Sequence, residues 1–358
     1  MGRSFRAVAI FVVLAYALAW LVALPLWLGE GLAHPQFGLI AMAMMCTPAI
    51  AAVIVVCFVE RPERRLRALG IWPLGRAGRF VGYLALGLVV PVALVLVALP
   101  IGAWLGVYPA DFANLSGFAE LLRSQGAPDL GVPLQVVVAL QLVSIPIGAF
   151  VNLIPALGEE LGWRGWLLPK LMPLGPVGAI VVSGVIWGVW HAPVVLLGYN
   201  YPTAPGWLGV AMMTGMCIVL GGIFGWLRLR SDSVWPAALA HGALNAAAGS
   251  FLLFSRAGQE VDTVHATILG WSGWIVPALL LAVIVATGRF RLRPQPATGA
   301  AAPATPHPAG PDQARPASVR SGLEHRAPER TPGQPAAERT PADQPAAGRP
   351  APGHSQQP

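Results

Sequence analysis

The chain has 358 residues, 55% of them hydrophobic and only 11% charged, with a formal net charge of +7 and a mean hydropathy of +0.63. Soluble domains usually carry about 25% charged residues, so composition excludes the two or three soluble domains that length alone would allow. The positive charge lies beside long apolar runs, which makes it topogenic and excludes a nucleic-acid footprint.

Crossing a bilayer takes about 20 mainly apolar residues as a helix, the form that satisfies its own backbone in lipid. Eight segments qualify, near 7–28, 38–59, 81–105, 132–156, 175–198, 207–227, 234–254 and 264–287. The expected fold is therefore all-α, a polytopic membrane bundle of about eight helices. The start, "MGRSFRAVAIFVVLAYALAW", has the Ala-x-Ala steps of a signal peptide, but the apolar run continues through "LVALPLWL" and reads as a retained span. The fourth, fifth and seventh segments contain polar residues or proline and are expected inside the bundle. Four regions follow: N-terminal helices and loops at 1–131, a core at 132–254, a last helix within 255–293, and 294–358.

Arginines alternate with the spans. Arg3 and Arg6 precede the first, Arg61, Arg64, Arg65, Arg67, Arg76 and Arg79 fill the second connection, and Arg164 and Lys170 follow the fourth span. Arg228 and Arg230 follow the sixth, and Arg289, Arg291 and Arg293 the eighth, against only Arg123 and Arg256 on the other side. This is the positive-inside pattern of a multi-pass cell-membrane protein with both termini cytoplasmic. The arginine-over-lysine, Ala/Pro-rich composition points to a bacterial source. On the opposite side, "GFAELLRS" between Val107 and Gly131 is expected as a short interfacial helix. Cys46, Cys57 and Cys217 are odd in number and lie within spans, so they read as packing residues. Residues 294–358 hold no aromatic residue and are dominated by Pro, Ala, Gly and Gln, the composition of a disordered tail.

Ionisable groups at membrane depth are costly and mark function by default. Between Asp129 and Asp232 the only carboxylates are Glu159 and Glu160, in "LIPALGEELGWRGWLLPKL". Glu160 and Arg164 are four residues apart and share a helix face, as an ion pair would, whereas Glu159 is rotated by about 100°. A solvated helix end or a structural clamp is the bland alternative. His191, in "IWGVWHAPVVLL", lies between two tryptophans and a helix-kinking Pro193. His241 and Asn245 share one face of the seventh span, with Gly242, Ala243 and Ala246 allowing close helix approach. Each cluster alone also fits interhelical hydrogen bonding. Together they supply a carboxylate, two imidazoles and an amide, a set able to activate water and stabilise an oxyanion.

The ordered set Glu-Glu-x-x-x-Arg, aromatic-x-x-x-His and His-x-x-x-Asn, between about Gln141 and Ser250, resembles the CAAX-protease and bacteriocin-processing family of intramembrane endopeptidases, including the type 2 CAAX prenyl endopeptidases. The resemblance implies Glu159 as the water-activating base with His191 beside it, His241 and Asn245 as the oxyanion site, and Glu160 and Arg164 in support. Trp187 departs from the pattern, standing where the family usually has Phe. The implied partners are the lipid bilayer and a membrane-associated peptide or protein substrate, reached through a cavity open towards the cytoplasmic side. No cofactor is implied. A zinc protease using Glu159, His191 and His241 is the alternative, although no His-Glu-x-x-His occurs. No Gly-x-Ser-x-Gly is present for a serine protease. A non-catalytic immunity or transport protein is the remaining reading.

Overall fold

Glycine and proline punctuate an otherwise helical chain. In the computed structural model, residues 2–126 and 131–291 are described, and all of them belong to one compact unit. The expected disordered tail at 294–358 lies outside the described residues. So does Arg293. Among the described residues, six helices are long and apolar enough to cross a membrane: Phe5–Leu28, Phe37–Glu60, Ala77–Trp104, Leu134–Trp190, Gly206–Ser231 and Trp235–Phe254. The described residues contain no strand, only an isolated bridge between Ala110 and Ser255. The protein is a multi-pass α-helical membrane protein.

The helices used below are α1 (Gly2–Leu28), α2 (Phe37–Met45), α3 (Thr47–Ile54), α4 (Ala77–Trp104) and α5 (Ser116–Ser124). They continue as α6 (Leu134–Glu160), α7 (Gly175–Trp190), α8 (Gly206–Ser231), α9 (Trp235–Ala248) and α10 (Ile275–Ala286). The fourth and fifth expected spans are α6 and α7, joined by helical turns that end at Gly175, whose φ of +79° breaks the run. Pro176 follows it, where a missing N–H costs a helix nothing. The eighth span is shorter than expected. Asp262 Oδ1 accepts the Val264 N–H at 2.9 Å and holds a turn, Thr267 has φ +67°, and the apolar helix runs only over Trp271–Ala286.

Lipid is as apolar as leucine, so helices in it associate by close packing rather than by hydrophobic burial. The chain uses small residues for this. A Cβ on Gly188 would stand 2.3 Å from Thr214 Cα, and one on Gly184 2.5 Å from Ile218 Cα, which brings α7 against α8. On Gly242 it would meet the Ala149 carbonyl oxygen at 2.6 Å, and on Gly87 the Pro236 carbonyl oxygen at 2.5 Å, so α9 lies between α6 and α4.

Two faces are distinct. On the basic face, Arg79 donates to the Arg230 carbonyl, Lys170 Nζ meets Glu60 Oε1 at 2.7 Å, and Trp235 Nε1 donates to the Ile71 carbonyl at 3.3 Å. On the opposite face, Trp27 Nε1 donates to the Pro193 carbonyl at 2.8 Å and Tyr201 Oη to the Leu269 carbonyl at 3.0 Å. The expected short helix α5 lies there, with Phe118 buried against Leu115, Val138 and Leu253. Trp27, Trp104, Trp207 and Trp271 are exposed near that face, the placement of a membrane-interface aromatic belt.

Candidate active site

The two glutamates close α6, and the chain then widens into a π-helical turn, Leu161–Leu167. Such turns recur at functional sites. Gly162 and Gly165 make room here: a Cβ on the first would meet Pro48 Cβ at 2.6 Å and on the second the Leu69 carbonyl oxygen at 2.6 Å. Trp163, Arg164, Trp166 and Leu167 are all buried, with Phe11 of α1 against both indoles.

Arg164 Nη1 donates to Glu160 Oε1 at 2.8 Å, with both side chains essentially inaccessible. Removing two charges from water is expensive and is offset only by good geometry. Here the guanidinium also lies 4.0 Å from the Trp187 ring centroid and 5.5 Å from that of Phe224. Gly221 leaves space for it, since a Cβ there would stand 2.5 Å from Arg164 Nη2.

The same Glu160 oxygen takes a second donor, His241 Nδ1 at 3.0 Å. Glu160 Oε2 has no partner among the described residues. His241 is thus fixed by Glu160 rather than by Glu159. Glu159 has donors of its own: Trp187 Nε1 at 2.7 Å and Trp163 Nε1 at 3.3 Å, both on Oε2. Among the described residues no donor meets Oε1, and no hydrogen bond joins Glu159 to either histidine.

His191 ends α7, and Pro193 opens the short helix Ala192–Val195 after it. Its Nδ1 lies 2.9 Å from the Trp187 carbonyl oxygen. A carbonyl only accepts, so Nδ1 carries the hydrogen and Nε2 keeps the lone pair. Cys217 Sγ approaches the same ring at 4.0 Å. His241 is stacked on Phe224 and meets Trp187 edge-on.

Glu159, His191, His241 and Asn245 line one cavity of about 340 Å³, whereas Glu160 and Arg164 lie behind its wall. Met44, Met45, Met213 and Met216 form much of the apolar lining, with Leu244, Ile268 and Leu269. Asn152, whose Nδ2 is held by the Gly148 carbonyl at 2.9 Å, and Tyr199 also reach it. Burial first, and the charge of Glu159 second, push the Tyr199 phenol above its ordinary pKa, so it stays a neutral donor.

The lining residues come from several helices and from the connections after α7 and α9. Phe37, Tyr199, Asn200, Ile268 and Leu269 are also in the lining. On the basic side, Trp163, Trp166, Leu167 and Leu168 fill the space beneath the glutamates.

Trp163, Trp187, Asn152 and Tyr199 were not singled out as site residues from sequence. Trp163 follows Glu159 by four, the same spacing that paired Glu160 with Arg164, and Asn152 is a polar group within a span. Both were legible signals. For metals, no group of three or more His, Cys, Asp or Glu side chains among the described residues is gathered to hold an ion. Glu159, His191 and His241, the alternative zinc set, form no such group.

The model of the family described as type II CAAX prenyl endopeptidase Rce1-like matches residues 141–247. Comparison with curated proteins gives no match. The matched segment runs from α6 to α9 and contains Glu159, Glu160, Arg164, His191, His241 and Asn245. Over residues 141–247, this membrane protein is thus similar to the type II CAAX prenyl endopeptidase Rce1-like family, a family of proteases.

Proposed function

We propose that the protein is an intramembrane endopeptidase that hydrolyses a peptide bond of a membrane-associated peptide or protein with water activated by Glu159, without a metal. The observation that carries this reading is the convergence of Glu159, His191, His241 and Asn245 on one apolar-walled cavity.

In this mechanism the indoles of Trp163 and Trp187 fix Glu159 Oε2 and leave Oε1 to meet a water molecule. Glu159 takes a proton from that water as its oxygen bonds to the scissile carbonyl carbon. His191 Nε2, with Nδ1 committed to the Trp187 carbonyl, orients the same water as an acceptor. The carbonyl electrons move onto oxygen, where the Asn245 amide donates together with His241 Nε2, the ring acting as an imidazolium whose Nδ1–H is held by Glu160. The Glu160–His241 bond sets the imidazole's orientation. The carbon–nitrogen bond then breaks, the Glu159 proton passes to the leaving amine, and a carboxylate and an amine depart. Beside the methionine and leucine walls these interactions act at a local dielectric below that of bulk water.

The test compares the membrane peptidomes of cells carrying the wild-type protein and Glu159→Gln at matched abundance. A precursor that accumulates in the variant, with its fragments lost, is the expected result. Identical peptidomes under conditions where both proteins are made would overturn the reading.

A further inference from the structure

We infer that a pocket between the start of α1 and the end of the second span binds the headgroup of an anionic phospholipid, whose acyl chains lie on the apolar helix faces beside it. The pocket measures about 700 Å³, and its lining includes Arg6, Ile10, Phe58, Val59, Glu60 and Lys170. None of these residues lines the cavity around Glu159. Its depth follows from the chain. Arg6 stands at the start of the apolar run Phe5–Leu28, and Glu60 ends the run Phe37–Glu60. Two neighbouring spans therefore meet here at the level where apolar sequence gives way to charge. The second span finishes in a π-helical turn, Val55–Glu60, and Arg61 beyond it has φ +50°, so the chain leaves the helix at this point.

The lining defines the ligand. Glu60 is its only carboxylate, and both oxygens are engaged: Oε1 by Lys170 Nζ at 2.7 Å and Oε2 by Trp166 Nε1 at 3.1 Å. An ammonium has three hydrogens, so Lys170 keeps donors for a further acceptor, and its side chain is 34% exposed. Arg6 is exposed and forms no ion pair among the described residues. Two cations thus face one carboxylate that is already held. A guanidinium forks onto two phosphate oxygens and an ammonium adds a point charge, a pair suited to a phosphodiester. Beside the charges, Ile10, Phe58 and Val59 carry the wall into the apolar runs, with Phe58 68% and Val59 41% exposed. Only an amphiphile covers both parts. A free anion leaves the apolar wall bare, and a zwitterionic lipid brings its own cation towards Arg6 and Lys170. Trp166 ties Glu60 to the π-helical turn that follows Glu159 and Glu160, so a lipid held here also braces that turn.

The test uses full-length protein, delipidated in mild detergent, with dioleoylphosphatidylglycerol, dioleoylphosphatidylcholine or inorganic phosphate added. Native mass spectrometry reads bound lipid, and thermal unfolding reads Tm. The expected result is retention of phosphatidylglycerol with a raised Tm, and neither effect from phosphatidylcholine or phosphate. Arg6→Gln leaves the Lys170–Glu60 pair in place, so its Tm without lipid should match wild type while most of the bound phosphatidylglycerol is lost. Arg6→Gln combined with Lys170→Gln should lose the remainder. Arg123→Gln, an exposed arginine of α5, should retain the lipid as wild type does. Equal retention of the two lipids would overturn the inference, as would phosphatidylglycerol binding unchanged in Arg6→Gln. A Tm raised as much by phosphate as by phosphatidylglycerol would make this a free-anion site and overturn the lipid assignment. No readout uses peptide cleavage, so the outcome is independent of the protease reading.

Discussion

The Trp187 indole nitrogen stands 2.7 Å from Glu159 Oε2, and the same ring carries the Arg164 guanidinium 4.0 Å from its centroid. Its backbone carbonyl holds His191 Nδ1 at 2.9 Å, and its edge meets His241. One residue thus touches the carboxylate, the buried cation and both imidazoles. Phenylalanine, the residue usual here in the family the motifs resemble, keeps the ring but has no N–H to give. Trp187→Phe should therefore lower kcat with little change in KM. A hydrogen bond to a charged group contributes about 1.5–3 kcal/mol, or roughly ten- to a hundredfold in rate. An unchanged kcat would show that the Trp163 indole alone holds Glu159.

The buried pair Glu160–Arg164 makes a second prediction. Arg164→Met leaves a carboxylate inside the bundle with His241 as its remaining donor among the described residues. Breaking a buried pair from one side costs about 3–5 kcal/mol. The expected outcome is a sharp loss of folded protein and a lower Tm in detergent. Gly221→Ala, whose added Cβ would stand 2.5 Å from Arg164 Nη2, should act in the same direction and less strongly. Wild-type Tm in both would contradict the clamp.

The contact between α7 and α8 depends on Gly184 and Gly188. Gly188→Leu must displace Thr214, whose Cα would lie 2.3 Å from the new Cβ. Overpacking of this kind costs about 1–3 kcal/mol. Thermal unfolding should show it, with Val185→Leu, at a lipid-facing position 39% exposed, leaving Tm close to wild type. Equal shifts in the two would mean that the helices are not closely packed here.

Metal dependence divides the mechanisms directly. Cleavage should persist after exhaustive chelation and should not rise when zinc is restored. Activity lost to the chelator and recovered with zinc would reinstate Glu159, His191 and His241 as ligands and remove Glu159 as a free base.

The helices could be read from the chain because apolar runs and alternating arginines are local signals. The Glu160–Arg164 pair was legible for the same reason, since four residues on a helix set a common face. His241 on Glu160 was not, because 81 residues separate them and one sequence does not encode how α9 is rotated against α6. The packing beneath the glutamates escapes the sequence on similar grounds. Motif order says which helices meet, while the buried Trp163 and Trp166 belong to a π-helical turn that α-helical periodicity does not foresee. The eighth span comes out too long from hydropathy because residues 263–270 are apolar enough to extend a helix, yet their hydrogen bonds form turns.

The most direct test of the central claim is cleavage of an accumulated precursor by purified Glu159→Gln and Glu160→Gln at equal amounts of folded protein. The Glu160→Gln side chain keeps an amide oxygen for Arg164 and His241, whereas Glu159→Gln removes the carboxylate that lines the cavity. The account predicts a loss of at least about 10²-fold for Glu159→Gln, the scale of a general base, and a much smaller one for Glu160→Gln. Wild-type cleavage by Glu159→Gln would contradict it.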